Sequence, residues 1–559
     1  MSSEPRETGA EHGATRRRFL RQMGMASVVA TRPMRRLWPE SFATAEPDDG
    51  YVSPRGDIRV PQTDENGRVV REYVTEPGTD YRHASQTAFE AFRDIKYGVR
   101  IHWGLYCLQN WSDTSWPYLK LTASEKARYN VQYRSWNPSG FDADAWMSFF
   151  RENGMKMFSF TPNHHEGFSM YDTRRRIRTR IDWGHSGGPR LEACDLAYSI
   201  METPFRRDIV RQVVDAGRRN GLKVDLYFSH PNWYDADFRP YVRHPAQVPS
   251  SDELLATIDR EQTQHEYGGQ ALVVPDPSSA EVSRMMASHR QQLTELLSNY
   301  GRIDMMCLDM WLGRAVWPEL RDTIIALRKI QPEVMFRARG IGNYGDYYTP
   351  EGFVPGDPST TDMPWFVIYP LGCGWSWGGA DDHFKGSAWV IANLADIVAK
   401  GGNFMVGIGP DPDGRFNPVA PDQLREVGAW LKVNGEAIYG TRPRPGTLWK
   451  EGGELETAAA RTENAPAGDQ KTPPIRFSRT KDHRTVYAIC LGWPGTTLAL
   501  KTISAAQVRR VSMVGVNQPL RSRSGSADGV TIELAAELQS ERNRPCTTAW
   551  AFRIEMEKA

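Results

Sequence analysis

The chain has 559 residues, a length that suits about two to four domains, or one large α/β barrel with an appended domain. Hydrophobic residues make up 40 % and charged residues 25 %, an ordinary globular composition that excludes a mostly disordered or fibrous chain. The formal net charge is +1, so the overall charge gives no reason to expect a nucleic-acid partner.

The first 45 residues have the features of an export signal. Residues 15–21 read Thr-Arg-Arg-Arg-Phe-Leu-Arg, which resembles the twin-arginine motif. A weakly apolar stretch follows at 23–30, and Ala43-Thr44-Ala45 has the small residues that are typical of a signal cleavage site. A disordered basic arm is the alternative. We predict a signal region over 1–45 and a periplasmic or secreted protein, with an extended lead-in over 46–80 and no membrane-spanning segment.

Residues 81–440 alternate short apolar runs with helical patterns. Such alternation predicts a parallel sheet, and its length favours a (β/α)8-type barrel, an α/β fold. An open doubly wound sheet is the runner-up, without dinucleotide binding because no GxGxxG follows an early strand. The predicted strands cover 97–103, 155–161, 223–229, 303–309, 334–339, 365–369 and 403–408. The predicted helices cover 141–153, 206–220, 285–300, 311–331 and 388–400.

The remaining residues, 441–559, have a different pattern. After a Pro-rich linker, short strand-like runs follow one another without an intervening helix, which predicts an antiparallel β-sandwich.

Polar residues cluster where the barrel strands end. The active sites of such barrels lie at the carboxyl ends of the strands. The candidate residues at these ends are His102, Trp103, His164, His165, Tyr227, Asp309 and Arg339, with Glu351 in a loop twelve positions further on.

Asp309 and Glu351 together suit glycoside hydrolysis. That reaction needs an ionised carboxylate at the anomeric carbon and a protonated acid that donates to the leaving oxygen. His and Arg neighbours keep a carboxylate ionised, whereas an apolar pocket keeps one protonated. The alternatives are a helix cap for Asp309 and a solvated loop position for Glu351.

A metal site is a minor alternative. His164, His165 and Glu166 are metal-ligating types, but adjacent histidines on an extended chain point to opposite faces, and the HExxH spacing is absent. We therefore expect one of the two histidines to be buried and the other to lie in the site. The six cysteines show no CxxC spacing. We predict no metal and no organic cofactor.

Several ordered motifs carry a family resemblance. Residues 97–106 read Tyr-Gly-Val-Arg-Ile-His-Trp-Gly-Leu-Tyr, and 164–168 read His-His-Glu-Gly-Phe. Both resemble signatures of the α-L-fucosidases of glycoside hydrolase family 29, which usually have Asp in place of Glu166. Further segments are similar to the family's third strand, nucleophile strand, acid/base loop and a later glycine-rich stretch: 221–229, 299–309, 345–351 and 401–414.

The resemblance implies a retaining exo-glycosidase that removes terminal α-L-fucose from a glycan or glycoside by double displacement. Asp309 matches the family's nucleophile and Glu351 its acid/base residue. Sugar-binding positions are matched by His102, His164, His165, Tyr227 and Arg339, and a pocket wall by Trp103. Association into a homo-oligomer is compatible with the sequence.

Three departures from the family pattern concern the substrate. Arg100 replaces an aromatic residue, while Ser115 and Phe366 stand where the family has carboxylates. A related L-sugar such as L-galactose is one alternative. A non-catalytic carbohydrate-binding relative is the other, and a barrel metallohydrolase is a third hypothesis.

Overall fold

The structure is a computed structural model that describes residues 74–239, 244–246, 277–310, 312–350, 363–453 and 473–557. The predicted signal region and most of the lead-in lie outside these residues, and so does Glu351. Within the described residues, no helix combines the length and apolar composition needed to cross a bilayer.

Seven parallel strands form the predicted sheet of the N-terminal domain, in the order β7-β6-β5-β2-β1-β9-β8. Within the described residues of this domain, a two-stranded hairpin, β3-β4, forms a separate sheet. These strands are β1 (Tyr97–Ile101), β2 (Met157–Asn163), β3 (Ile177–Asp182), β4 (Arg190–Leu196), β5 (Lys223–Ser229), β6 (Met305–Asp309), β7 (Met335–Phe336), β8 (Phe366–Pro370) and β9 (Asn403–Ile408).

Backbone bridges join the two edges of this sheet. Arg337 bridges in parallel to Tyr347, and Tyr348 bridges in parallel to Trp365. The segment 347–348 therefore lies between β7 and β8, and the sheet curls into a (β/α)8-type barrel. The carboxyl ends of the barrel strands lie at one edge of the barrel, and the active sites of such barrels lie at that edge.

Helices pack around the barrel strands, which are buried on both faces. The first turn of the helix Ala143–Glu152 is capped by the Asp142 side chain, which accepts a hydrogen bond from the N–H of Ala145. The helices are α1 (Gln86–Arg93), α2 (Ala123–Tyr129), α3 (Ala143–Glu152), α4 (Ile209–Arg219), α5 (Ser279–Asn299), α6 (Trp317–Ile330), α7 (Ser387–Ala399) and α8 (Val419–Asn434). Three of these helices, α1, α2 and α8, were not predicted.

The β3-β4 hairpin is not among the predicted strands. The arginine-rich stretch 174–180 has the composition of a solvated loop or helix face, yet part of it forms β3. Arg180 pairs with Glu192 on the facing strand at 2.7 Å, and Arg176 pairs with Asp195 at 2.8 Å. Cross-strand carboxylates therefore compensate the like charges that the sequence places close together.

The C-terminal domain is an antiparallel β domain with its own apolar core. It docks on the barrel through a buried contact, because Arg476 donates through Nε to Asp396 of α7 at 2.5 Å. Its strands are β10 (Thr441–Pro443), β11 (Lys450–Glu451), β12 (Ile475–Thr480), β13 (Thr485–Cys490), β14 (Thr497–Ser504), β15 (Val508–Met513), β16 (Pro519–Ser524), β17 (Gly529–Glu533) and β18 (Trp550–Met556).

Candidate active site

Asp309 ends β6 and lies at the carboxyl edge of the barrel, as predicted. Its backbone carbonyl accepts a hydrogen bond from the N–H of His230 at 3.0 Å, which extends the pairing of β5 with β6. The next residue, Met310, has a φ of 64°, a left-handed conformation that is unusual for a non-glycine residue. The chain turns there, directly after the carboxylate.

Four side chains surround the Asp309 carboxylate. Tyr227 donates to Oδ2 at 2.5 Å, and His165 Nε2 lies 3.5 Å from the same oxygen. Two arginines donate through Nη1 to Oδ1, Arg339 at 2.6 Å and Arg337 at 3.0 Å. Both carboxylate oxygens are therefore engaged, as a buried charge requires.

These neighbours keep Asp309 ionised. Burial by itself raises the pKa of this carboxyl, but the hydrogen bond from His165 and the positive charge of Arg337 hold the pKa well below its usual range. Burial, reinforced by the Asp309 charge, raises the pKa of Tyr227 well above 10. The phenol thus remains a donor to a permanent anion.

Two further predicted residues, His102 and His164, stand beside Tyr227. The His164 ring stacks on the Tyr227 ring at 5.5 Å and 9°, and the His102 ring meets the His164 ring edge-on at 5.9 Å. Burial lowers the pKa of both imidazoles well below 6.5, so both are neutral. Neutral imidazoles offer one donor and one acceptor each to a polar ligand.

The Thr161 hydroxyl contacts one nitrogen of His102. It lies 3.0 Å from His102 Nδ1 and 3.3 Å from the carbonyl oxygen of Ile101. Nδ1 is therefore engaged within the protein, and Nε2 is the nitrogen left for a ligand.

His164 and His165 both face the site, which corrects the expectation that only one of them would. Their ring centroids are 4.4 Å apart. The chain turns immediately after β2, with Gly167 donating to the His164 carbonyl at 2.9 Å, so the alternation of an extended strand does not apply here. Within the described residues, no group of three His, Cys, Asp or Glu is placed to hold a metal ion.

Indole rings form walls near these imidazoles. Trp116 and Trp233 lie 4.9 Å and 5.1 Å from the His165 ring, and Trp375 lies 6.2 Å from the His102 ring. Indole faces beside hydrogen-bonding groups suit a carbohydrate, which has apolar C–H faces and polar hydroxyls.

Trp103, which was predicted to form a wall of the sugar pocket, does not lie beside Asp309. Its side chain is fully buried and packs against Trp136, Phe141 and Trp146. Its Nε1 donates to the carbonyl of Asp411 at 3.0 Å. The structure therefore places this indole in the aromatic core rather than around Asp309.

The two positions that lack the family's carboxylates have different environments. The Ser115 hydroxyl lies 2.5 Å from His164 Nδ1, so it belongs to the site. Phe366 is the first residue of β8, packed against Phe92 and Tyr347. Because the strands are parallel, this position is at the opposite edge of the sheet from Asp309. Phe366 is therefore a core residue, and the lack of a carboxylate at this position removes no contact with a sugar at Asp309.

Arg337 was not among the predicted site residues. It lies two residues before Arg339 on the same extended segment, and residues at that spacing share a face. This periodicity could have identified it. The described segment that contains the bridge of Tyr348 to Trp365 ends at Pro350. The role of Glu351 as the acid/base residue therefore stays a prediction.

Known proteins resemble this chain over most of its length. The family model Alpha-L-fucosidase matches residues 69–436, and the model Alpha-L-fucosidase C-terminal domain matches 468–555. The plasma alpha-L-fucosidase of Homo sapiens is 25 % identical over 495 residues, covering 83 % of this chain and 89 % of that protein. The corresponding protein of Rattus norvegicus is 26 % identical over 496 residues, covering 83 % and 90 %.

Solved structures show the same fold. Alpha-L-fucosidase isoenzyme 1 from Paenibacillus thiaminolyticus has a TM-score of 0.62 at 22 % identity, covering 85 % of this chain and 99 % of that one. A Bacteroides thetaiotaomicron alpha-L-fucosidase, solved as a trapped covalent intermediate with 2-fluoro-fucosyl fluoride, has a TM-score of 0.63 at 20 % identity, covering 88 % and 100 %. The match of the family model to most of the chain, over a barrel with this constellation at its carboxyl edge, shows that the chain belongs to the α-L-fucosidase family, glycoside hydrolase family 29.

Proposed function

We propose that this protein is a retaining exo-α-L-fucosidase with Asp309 as its nucleophile. The observation that carries the proposal is the environment of this carboxylate, which is buried at the carboxyl edge of the barrel, accepts hydrogen bonds from Tyr227, Arg337 and Arg339 and lies 3.5 Å from His165 Nε2. A nucleophile for glycosyl transfer must be an anion fixed in place before the substrate arrives.

The first chemical step is attack of Asp309 on the anomeric carbon. The bond to the aglycone oxygen breaks as the ester to Asp309 forms, and an acid donates a proton to the departing oxygen. We assign the acid to Glu351, which follows the segment between β7 and β8. In the second step the same residue takes a proton from water, which hydrolyses the ester and releases L-fucose with its configuration retained.

The walls around Asp309 support a sugar of this type. Neutral His102 and His164 can exchange hydrogen bonds with hydroxyls, and the Trp116 and Trp375 indoles offer apolar surface. The similarity of the chain to proteins named alpha-L-fucosidase supports L-fucose, rather than L-galactose, as the terminal residue that it removes.

Hydrolysis of an aryl α-L-fucoside tests the assignment of the nucleophile. We expect Asp309→Ala to reduce kcat/KM by about 10⁴-fold or more. Added azide should fit the space left by the carboxylate and give the β-L-fucosyl azide. NMR of the wild-type reaction should show α-L-fucose as the first product. Incubation with 2-fluoro-fucosyl fluoride should release fluoride and add the mass of one 2-fluoro-fucosyl group to a peptide that contains Asp309.

Asp304→Asn is the matched control. Asp304 lies at the amino end of the same barrel segment, where it accepts from the N–H of Val224 at 3.0 Å, so its loss should leave turnover nearly unchanged. Undiminished activity in Asp309→Ala, or an inverted first product, would exclude the proposed mechanism. Sugar binding without any hydrolysis would instead favour the non-catalytic alternative.

We further propose export through the twin-arginine route, on the basis of Arg16 to Arg18 and the residues that follow them. Replacing Arg16, Arg17 and Arg18 by Lys should keep the fucosidase activity in the cytoplasmic fraction of a bacterial host. Export that persists in this variant would exclude the proposal.

A further inference from the structure

One arginine of the stretch 174–180 is buried. Arg175 is 0 % exposed, whereas Arg174 and Arg176 on either side of it are exposed. A buried guanidinium is normally paired with a carboxylate. No nitrogen of Arg175 is hydrogen-bonded to a carboxylate, since within the described residues Nη2 donates to two carbonyls and neither Nε nor Nη1 has a partner. The burial of this cation therefore needs another explanation than an ion pair.

Arg175 joins two backbone segments, one after β2 and one after β4. Its Nη2 donates to the carbonyl of Gly167 at 3.2 Å and to the carbonyl of Ala197 at 3.1 Å. One guanidinium nitrogen carries two hydrogens and can serve both carbonyls. Two residues further along the same segments, Ser169 and Ser199 form a parallel backbone bridge. The guanidinium thus extends the contact between these segments beyond the point where their backbone pairing ends.

Two carboxylates hold the surroundings of Arg175 without forming an ion pair with it. Glu295 accepts from the Thr173 hydroxyl at 2.7 Å, and the same hydroxyl accepts from the N–H of Arg175 at 3.1 Å. Glu202 accepts from the N–H of Ala197 at 3.0 Å. The backbone of Arg175 and one of the two segments that it joins are therefore fixed, and both negative charges favour the guanidinium cation.

The other segment is the turn 164–167, which carries His165. The loop after β5 also contacts this turn, because the N–H of Trp233 donates to the carbonyl of His165 at 2.7 Å. Gly167 has a φ of 83°, and a Cβ at this position would lie 2.0 Å from Asn232 Oδ1, so Asn232 packs directly against it. Among the described residues, Arg175 is the one donor to the Gly167 carbonyl. The end of the turn therefore depends on this guanidinium.

We propose that Arg175 is a positioning residue which, by holding the Gly167 carbonyl, fixes the turn 164–167 and so places the His165 imidazole beside Asp309. His165 Nε2 lies 3.5 Å from Asp309 Oδ2, and the carbonyl that Arg175 holds is two residues further along the chain. A misplacement of about 1 Å in such a group can reduce the rate about 100-fold. The effect of Arg175 on catalysis rests on the proposed function, whereas the placement of the imidazole does not.

NMR of protein labelled with ¹³C,¹⁵N-histidine tests the placement without any substrate. The His165 ring signals are identified by their loss in His165→Asn. We expect Arg175→Met to shift or broaden these signals and to leave those of His83 in place, since His83 contacts Asp346 at 3.0 Å and not the turn. Arg174→Met, at the exposed neighbour, is the matched control and should change neither set. Unchanged His165 signals in folded Arg175→Met would overturn the proposal.

A double-mutant cycle on aryl α-L-fucoside hydrolysis tests the consequence for activity. Arg175→Met should reduce kcat/KM by about 10- to 100-fold in the otherwise wild-type protein. In His165→Asn the same change should cost about 3-fold or less, because the imidazole that Arg175 places is then absent. Arg175→Lys, which retains a cationic donor, should fall between wild type and Arg175→Met. A reduction of equal size in both backgrounds would show that Arg175 does not act through His165.

Arg476→Met separates positioning from a general loss of stability. Arg476 is also a buried arginine, 1 % exposed, but it contacts Asp396 at the domain boundary. Urea unfolding should show a lower midpoint in both arginine variants, while kcat/KM of the folded protein should fall in Arg175→Met alone. Equal losses of kcat/KM would show the inference to be wrong. If Arg175→Met does not fold, Arg175→Lys provides the same comparisons. If the protein hydrolyses no fucoside, the NMR experiment still decides the placement.

Discussion

Removal of Arg337 tests whether the buried positive charge sets the ionisation of the nucleophile. Arg337 is 3 % exposed, and its Nη1 lies 3.0 Å from Asp309 Oδ1. Arg337→Met keeps the apolar stem and removes the charge. A hydrogen bond to a charged group contributes about 1.5–3 kcal/mol, so we expect kcat/KM to fall by about 10- to 150-fold. Arg339 still donates to the same oxygen, which limits the loss.

The sign of the pH effect follows from the same contact. A nearby opposite charge lowers a carboxyl pKa by about 1–3 units, so its removal raises the pKa of Asp309 by a similar amount. Because the reaction requires the anion, the acid limb of the kcat/KM profile should move to higher pH in Arg337→Met. Arg337→Lys, which retains a positive charge, should shift it less. An acid limb at the same pH in all three proteins, measured with an aryl α-L-fucoside, would refute this account of the site.

Three further predictions concern stability. Arg100 and Asp225 form a buried ion pair at 3.2 Å inside the barrel, so Arg100→Met or Asp225→Leu alone should cost about 3–5 kcal/mol, whereas the double variant should recover most of that loss in urea unfolding. Between pH 5 and 8 Glu166 is ionised in the unfolded chain but protonated in the folded protein. As the pH rises through this range, the free energy of unfolding of the wild type should therefore fall, relative to that of Glu166→Gln, by up to about 1.4 kcal/mol per pH unit. Asp396→Ala leaves the guanidinium of Arg476 buried without this partner and should lower the free energy of unfolding by about 3–5 kcal/mol, seen by intrinsic fluorescence.

Each of these has a contradicting result. Additive losses in the double variant would show that Arg100 and Asp225 are not coupled. Urea midpoints for Glu166→Gln and wild type that run parallel from pH 5 to 8 would show that Glu166 does not retain its proton. An unchanged unfolding midpoint in Asp396→Ala would show that its contact with Arg476 contributes little to the docking of the two domains.

The barrel strands could be predicted because their local pattern and their final environment agree. The predicted strand 303–309 corresponds to β6, Met305–Asp309, and 223–229 corresponds to β5 with the same bounds. Short apolar runs flanked by glycine or polar residues suit strands buried on both faces. The β3-β4 hairpin could not be predicted in this way, since its charged residues are compensated only by residues on the facing strand.

The sequence by itself determined the fold class, the family and the place of Asp309 at the end of a barrel strand, because each depends on the local order of residues. Only the tertiary structure decided which side chains meet around it. It added Arg337 to the carboxylate, placed both His164 and His165 in the site, and assigned Trp103 and Phe366 to the core. Those outcomes depend on strand direction, on a single turn after β2 and on packing between distant segments, none of which is encoded at the position of the residue itself.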